Sequence, residues 1–537
     1  MREGLGTWVV IALLWCLPIE VIAQDTLQQI RFEVERFDVV GDNPIGERAQ
    51  AVLAPYVGEQ YGLEGLSAAR DALEQAIINA GYNFHRVSLP PQELLEGVVL
   101  LRVSRFVIGK IDVEGNEFFD DDNILNSVPV LQAGETPNTQ LLSRSLKIAN
   151  KSASKSTVLR FSEGTEADSI DALLSVTDRN PQVFFVSLDN TGPEDGETWR
   201  STFGYQHGNL FNRDHAVTAT LTTAPEDTSA TLQIGINYNI PLYEHGASID
   251  LLFSDSDSAG ETGGGTDGSQ GIAPGTGGGQ ALEITGEGRV YGFIYSRPLL
   301  TDSSYSHDWT VGLQHKNFDN SSKFGEEELE DISPNVISVP LEVGYAFNRR
   351  TPGNAFFGNV RLVQEVGDDD SEYQRDRLGA ESGWTALRYN LSYDLLFAEE
   401  YLFSTRFSGQ HTNALLISGE QFGLGGEATL RGFEERSVTG DSGYQLSLEL
   451  WFPPVFNDMR FLVFTDIGHT EYNDGTEPGT EGVEFDPSSA GLGMFWAWKE
   501  SLSVSLNYGY IIEGGGLDTE INQDGDSKLH VSAVYRF

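Results

Sequence analysis

The stretch Tyr444-Gln445-Leu446-Ser447-Leu448-Glu449-Leu450-Trp451-Phe452 decides the fold class. Side chains in a strand alternate between faces with a period of two. Tyr444, Leu446, Leu448, Leu450 and Phe452 therefore share one face, and Gln445, Ser447, Glu449 and Trp451 share the other. Leu502 to Tyr510 repeats this: Leu502, Val504, Leu506, Tyr508 and Tyr510 oppose Ser503, Ser505, Asn507 and Gly509. The pattern also runs through Ala230 to Asn239, Ser248 to Phe253 and Tyr401 to Phe407. A sandwich buries its apolar faces against a second sheet. Strands of about ten residues, apolar outside and polar inside, mark a membrane barrel. Aromatic residues at strand ends (Tyr444, Phe452, Tyr508, Tyr510) fit the interfacial girdles of such a barrel.

Working outward, the alternation predicts strands near 183–190, 198–206, 214–223, 229–239, 246–254, 286–297, 305–317 and 336–347. It predicts others near 356–365, 386–396, 401–410, 442–452, 459–467, 488–498, 502–512 and 528–537, about sixteen in all. No helix pattern remains after Pro181. Short connections (208–212, Pro241-Leu242-Tyr243, 398–400) alternate with long ones, as periplasmic turns and outer loops do. The Gly-rich segment Ser254 to Gly288 reads as a flexible outer loop. The acidic runs Glu326-Glu327-Glu328 and Asp368-Asp369-Asp370 lack EF-hand spacing and read as solvated loops. The last strand puts Leu529, Val531, Ala533, Tyr535 and Phe537 on one face. Its aromatic-x-Phe ending resembles the C-terminal insertion signal of bacterial outer-membrane proteins, implying the barrel assembly machinery as a partner for the chain's own insertion.

Composition narrows the function. The chain has 537 residues with Lys+Arg 34 against Asp+Glu 80, a formal net charge of -46. A nucleic-acid binder needs a basic face, so that class is excluded. The single cysteine, Cys16, excludes a disulfide framework and a zinc cluster. No cofactor is expected: Gly423-Leu424-Gly425 has no βαβ unit around it, and the histidines form no H-E-x-x-H pair. These readings argue against an enzyme. Residues 1–23 read as a signal peptide, with Arg2, an apolar run from Trp8 to Leu17 and Val21-Ile22-Ala23 before the expected cleavage. Nothing downstream reaches 18 consecutive apolar residues, so a membrane-embedded state requires a closed barrel.

After a short segment, 24–30, the order strand, two helices, two strands appears twice. In 31–104 it comprises the strand from Phe32 to Val39, helices Arg48 to Leu53 and Leu66 to Ala80, and strands near 84–89 and 97–103. In 105–180 it comprises Val107 to Val113, helices Asp122 to Val128 and Thr139 to Asn150, and strands near 158–161 and 170–176. This tandem α+β order, with Val113-Glu114-Gly115-Asn116 after a first strand, resembles POTRA domains.

Two motifs in 181–537 carry the functional reading. Gly423 to Phe433, ending in Leu430-Arg431-Gly432-Phe433, lies between expected strands 11 and 12, and Phe464-Thr465-Asp466-Ile467-Gly468 lies in strand 13. They resemble the (V/L)RG(F/Y) and F-x-D-x-G motifs of the POTRA-plus-barrel superfamily. With two POTRA-like units, the resemblance narrows to the two-partner secretion transporters, the ShlB/FhaC/HecB-like hemolysin secretion/activation proteins. Val186 to Gly192 is similar to that family's first barrel strand. The resemblance implies a transmembrane β-barrel of about sixteen antiparallel strands preceded by two α+β POTRA domains, in the outer membrane of a Gram-negative bacterium. It implies a secreted exoprotein partner with an N-terminal secretion domain, and a loop folded back so that Arg431 meets Asp466 on the inner wall. Residue chemistry agrees: Phe464, Asp466 and Gly468 share a face, and a carboxylate belongs in the lumen. Arg431 offers a planar fork to it. One partly hydrated bond of about 1–3 kcal/mol is expected. Only Gln24 to Ile30 precedes the first strand, so the plug helix of some members is not expected and the loop alone should close the pore. Two alternatives remain: an assembly factor sharing both motifs, and a passive porin needing neither.

Overall fold

The computed structural model describes residues 31–537 apart from 94–95, 193–197, 229–230, 257–287, 300–304, 319–321, 325–326, 330–334, 368–369, 399, 474–482, 500 and 516–521. The expected signal peptide, residues 24–30, residues 257–287 of the Gly-rich loop, and Glu326, Asp368 and Asp369 of the acidic runs lie outside the described residues. Among the described residues no helix is long and apolar enough to cross a membrane.

The chain divides into two compact units. In the first, strand Arg36–Gly41 runs parallel to Val98–Arg105, which is flanked on its other side by His85–Ser88. Helices Arg48–Leu53 and Glu64–Asn79 bury Ala49, Leu53, Leu66, Ala69, Leu73 and Ile77. The single strand expected from Phe32 to Val39 is in fact two. Arg31–Val34 pairs with Gly58–Tyr61, a strand the alternation did not reveal, and the chain changes sheets at Glu35. Glu35 donates its backbone N–H to Gly97 O at 2.8 Å, which starts the parallel ladder one residue later.

The second unit opens with the same sheet order. Val107–Glu114 runs parallel to Ser169–Asp178, whose other neighbour is the antiparallel strand Lys155–Glu163. Helices Asp121–Asn126 and Thr139–Ala149 pack Ile124 and Leu142 against Ile108, Ala172 and Leu174. Both are N-capped, Asp120 accepting from Asn123 N and Asn138 from Gln140 and Leu141 N. Leu141, expected on the apolar stripe, is exposed because the buried face passes through Leu142, Ser145 and Ile148.

The rest of this unit is a closed antiparallel barrel of sixteen strands. In order they are Gln182–Asp189, Arg200–Leu210, His215–Thr223, Leu232–Leu242, Ala247–Ser256, Gly288–Pro298, Tyr305–Phe318 and Pro340–Thr351. Then follow Asn354–Glu365, Thr385–Phe397, Tyr401–Thr412, Ser442–Trp451, Arg460–Glu471, Ser488–Trp498, Leu502–Glu513 and Ser527–Arg536. Strand 1 closes on strand 16 from Phe185 opposite Arg536 to Asp189 opposite Ser532. Beyond Asp189, the Asn190 side chain continues the pairing: its amide donates to Leu529 O and accepts from Val531 N, both at 2.7 Å.

Burial follows the alternation. Phe293, Leu313, Val343, Leu362 and Leu492 are exposed on the outer face. Ser254, Glu342, Ser404, Asp466 and Ser489 are buried on the inner one. This inverted order suits a lipid surround. Short turns lie at the end near the α+β unit, where buried Lys155 meets Asp214 of the first turn at 2.6 Å, and Tyr243 of the second turn donates to the same carboxylate. One expectation is corrected at the opposite end. The connection between strands 9 and 10 contains a helix, Asp370–Asp376. It is a short, polar segment held by burial of Tyr373 beside Trp384, Leu416 and Ile417, so its own sequence carries no periodic signal.

Candidate functional site

The connection between strands 11 and 12, residues 413–441, folds as an inserted hairpin. Phe422–Leu424 pairs with Val438–Gly440 as its stem. At the tip, Gly425 N donates to Thr429 Oγ1 at 2.9 Å, and Thr429 Oγ1 donates back to Gly425 O at 2.7 Å. Leu430 to Phe433 form a turn closed by Phe433 N to Leu430 O at 3.4 Å. Gly432 takes φ +100° at its third position, a corner that favours glycine. This turn aims Arg431 at the wall while Leu430 and Phe433 pack on Ile511.

Arg431 is 4% exposed and Asp466 is fully buried. The guanidinium grips the carboxylate with both edges of its fork, Nε to Oδ2 at 2.8 Å and Nη2 to Oδ1 at 2.7 Å. The Arg431 backbone N–H adds a third bond to Oδ2 at 3.1 Å. Nη1 reaches Glu449 Oε1 at 2.7 Å, and Nη2 reaches Ser447 Oγ at 2.9 Å. The Phe464 ring lies beneath, its centroid 3.5 Å from the guanidinium carbon, a cation–π contact. The seat therefore holds more than the one partly hydrated bond expected. Glu449 also accepts from Arg406 and, at 2.8 Å, from Trp451 Nε1. Arg406, Arg431, Glu449 and Asp466 form a neutral quartet, the condition under which buried charges are tolerated.

Two glycines let the hairpin approach. A Cβ on Gly468 would meet Leu424 of the stem, and one on Gly509 would meet Gly432 N and the Arg431 carbonyl carbon. Gly432 N donates to His530 Nε2 of strand 16 at 3.0 Å, so the tip touches strands 12, 13, 15 and 16. Of the residues singled out from sequence, Leu430, Arg431, Gly432, Phe433, Phe464, Asp466 and Gly468 thus come together. Tyr535 and Phe537 lie apart on the outer face, stacked on each other at 6.0 Å, with Phe537 also stacked on Phe184 at 5.9 Å. Sequence reasoning missed Ser447, Glu449, Arg406 and Gly509 as partners of the tip. A glycine inside a strand is a sign of close backbone approach, and Gly509 carried that signal.

The model of the family "Haemolysin secretion/activation protein ShlB/FhaC/HecB" matches residues 168–494, and that of the ShlB-type POTRA domain matches 32–105. Among curated relatives, the heme/hemopexin transporter protein HuxB of Haemophilus influenzae is 20% identical, over 95% of this chain and 88% of that protein. The outer membrane transporter CdiB of Escherichia coli is 21% identical over 84% of this chain and 75% of that protein. Among solved structures, CdiB from Escherichia coli superposes with a TM-score of 0.70 at 17% identity, covering 97% of this chain and 93% of that one. CdiB from Acinetobacter baumannii gives 0.68 at 15% identity, covering 94% and 90%. The family model spans more than half of the chain, and the fold agrees with it: the protein belongs to the ShlB/FhaC/HecB family of outer-membrane transporters, which export a partner exoprotein.

Proposed function

We propose that this transporter moves a large, unfolded exoprotein carrying an N-terminal secretion domain from the periplasm to the cell surface, and that the inserted hairpin gates its pore. The observation that carries the reading is the buried seat of Arg431 on Asp466 and Glu449 inside a closed barrel. An element seated on its wall by discrete polar contacts has two states, seated and displaced. Residues 31–104 and 105–180 act as two periplasmic POTRA receivers. Among the described residues the outer strands His85–Ser88 and Lys155–Glu163 each pair with a single strand, and such an edge suits strand addition, which supplies backbone bonds without demanding a fixed sequence. No nucleotide serves the periplasm, so folding of the cargo outside gives transport its direction. Residues 1–23 direct export of the transporter itself. Tyr535 and Phe537 present its last strand to the barrel assembly machinery.

The test is co-expression with a candidate exoprotein that carries an N-terminal secretion domain. Export that depends on this chain, and falls in Arg431→Ala while the barrel still inserts, is expected. Cargo retained in the periplasm even with the parent chain, or export undiminished in Arg431→Ala, would overturn the reading. Loss of other outer-membrane proteins instead would identify an assembly factor.

A further inference from the structure

A second charge cluster, away from Arg431, fixes the other leg of the inserted segment. Glu420 is fully buried in the leg that enters the lumen from strand 11. Lys316 of strand 7 lies 2.9 Å from its Oε1, and Arg388 of strand 10 lies 2.8 Å from its Oε2. Ser338 Oγ sits 3.0 Å from Glu420 Oε1 and 2.6 Å from Glu365 Oε2, and its one proton can serve only one of them. Gln410 Nε2 ties the backbone, donating to Glu420 O at 2.9 Å and Asp441 O at 3.0 Å. Burial alone would raise the Glu420 carboxyl, but Lys316 and Arg388 overcome it and hold the group at about 2.

The helix-bearing connection between strands 9 and 10 rests on this leg. Asp376 Oδ2 accepts from Ser418 N and lies 3.1 Å from Ser418 Oγ. Arg377 bonds Leu416 O at 3.0 Å and pairs with Asp441, which also accepts from Leu416 N at 2.9 Å and Asn473 N at 2.9 Å. Phe318, Tyr373, Trp384, Leu416 and Ile417 seal the space between them.

We infer that Glu420 is a second positioning residue of the gate: with Lys316 and Arg388 it anchors the root of the inserted segment to strands 7 and 10, and the 370–384 segment is an outer lid locked onto that root. The two anchors use different arcs of wall, the tip on strands 12, 13, 15 and 16 and the root on strands 7 to 11. Weakening either anchor alone therefore lowers the cost of opening without removing it. Cargo leaving the lumen must break both anchors. This inference rests on the gating role proposed above.

The experiment uses the purified full chain in planar bilayers, with heat-modifiable migration confirming an intact barrel. Glu420→Gln keeps the shape and leaves Lys316 and Arg388 without their carboxylate. It should raise open-pore occupancy by roughly tenfold with Arg431 intact, and the double variant with Arg431→Ala should open more than either single one. A second variant, Asp376→Cys with Ser418→Cys, locks lid to root. Its oxidised form should stop cargo export, and dithiothreitol should restore it, even if Glu420→Gln fails to assemble. Opening by Arg431→Ala without opening by Glu420→Gln, or export indifferent to the oxidised lock, overturns the second anchor and spares the gate. If neither Arg431→Ala nor Glu420→Gln changes conductance, the gate falls with it.

Discussion

Replacing Arg431 by alanine tests the seat most directly. The side chain makes four hydrogen bonds, two to Asp466 and one each to Glu449 and Ser447, and covers the Phe464 ring. Removing one partner of a buried ion pair costs about 3–5 kcal/mol, because the other charge stays behind without compensation. Two features lower that figure here. Arg406 continues to neutralise Glu449, and the residue 431 backbone N–H still reaches Asp466. The displaced state loses nothing comparable, since water solvates the arginine there. A shift of about 3 kcal/mol in the seated-to-displaced balance is the expected magnitude, or about 150-fold. A displaced population of about one in a thousand would become about one in eight. Single-channel recording of the purified chain reads this as frequent long openings, with unchanged heat-modifiable migration. Arg431→Lys should fall between, since an ammonium keeps the charge but loses the fork. Open times within twofold of the parent in Arg431→Ala would show that the quartet does not hold the hairpin.

Gly509→Ala should unseat the tip as thoroughly as Arg431→Ala, because its Cβ would strike the Gly432 backbone, whereas Tyr508→Phe on the outer face of the same strand should leave conductance almost unchanged. Lys155→Met should loosen the second α+β sheet from the first barrel turn by about 3–5 kcal/mol, since Asp214 is then buried without its cation; faster proteolysis between residues 155 and 214 measures it. The Glu420 anchor has a defined acid limit. Its folded value of about 2 lies below the ordinary 4.5, so its contribution is fully present above about pH 4.5 and is lost as pH falls towards 2. Conductance measured between pH 7 and 5 should show no opening from this anchor, and opening should set in only below that range.

All sixteen strands were legible because each crosses between two fixed environments, lipid outside and a polar interior, so the period of two persists through every one. The signal failed where a strand has no second face to satisfy. Among the described residues Gly58–Tyr61 pairs only with Arg31–Val34, and its sequence carries no apolar alternation. Helix Asp370–Asp376 failed for the same reason, its stability coming from Tyr373 buried against residues more than forty positions away, such as Leu416. At the site, Arg431 and Asp466 could be singled out because each sits in a motif. Glu449 and Ser447 were legible only as inward-facing polar residues of strand 12, because nothing local says which inward residue a distant tip will reach. The root anchor was less visible still: Lys316, Arg388 and Glu420 come from three separate elements, each ordinary alone.

The chemistry of the contacts fits a gate better than a permanent plug. The tip's apolar cluster is small, Leu430 and Phe433 on Ile511. Most of its attachment is ionic or hydrogen-bonded, to groups that water can rehydrate once the lumen opens. A plug held by a large apolar face would expose that face on leaving and would resist displacement by the full burial term, roughly 25 cal/mol per Å². Here the wall left behind is Ser447, Glu449 and Asp466 beside Arg406, a surface already suited to a wet channel. A hydrated passage is also what an extended polypeptide needs, since its backbone groups find water at every step instead of an apolar lining. The same residues that hold the hairpin when seated thus furnish a tolerable wall when it is gone, and both states lie within reach of a passing chain's binding energy.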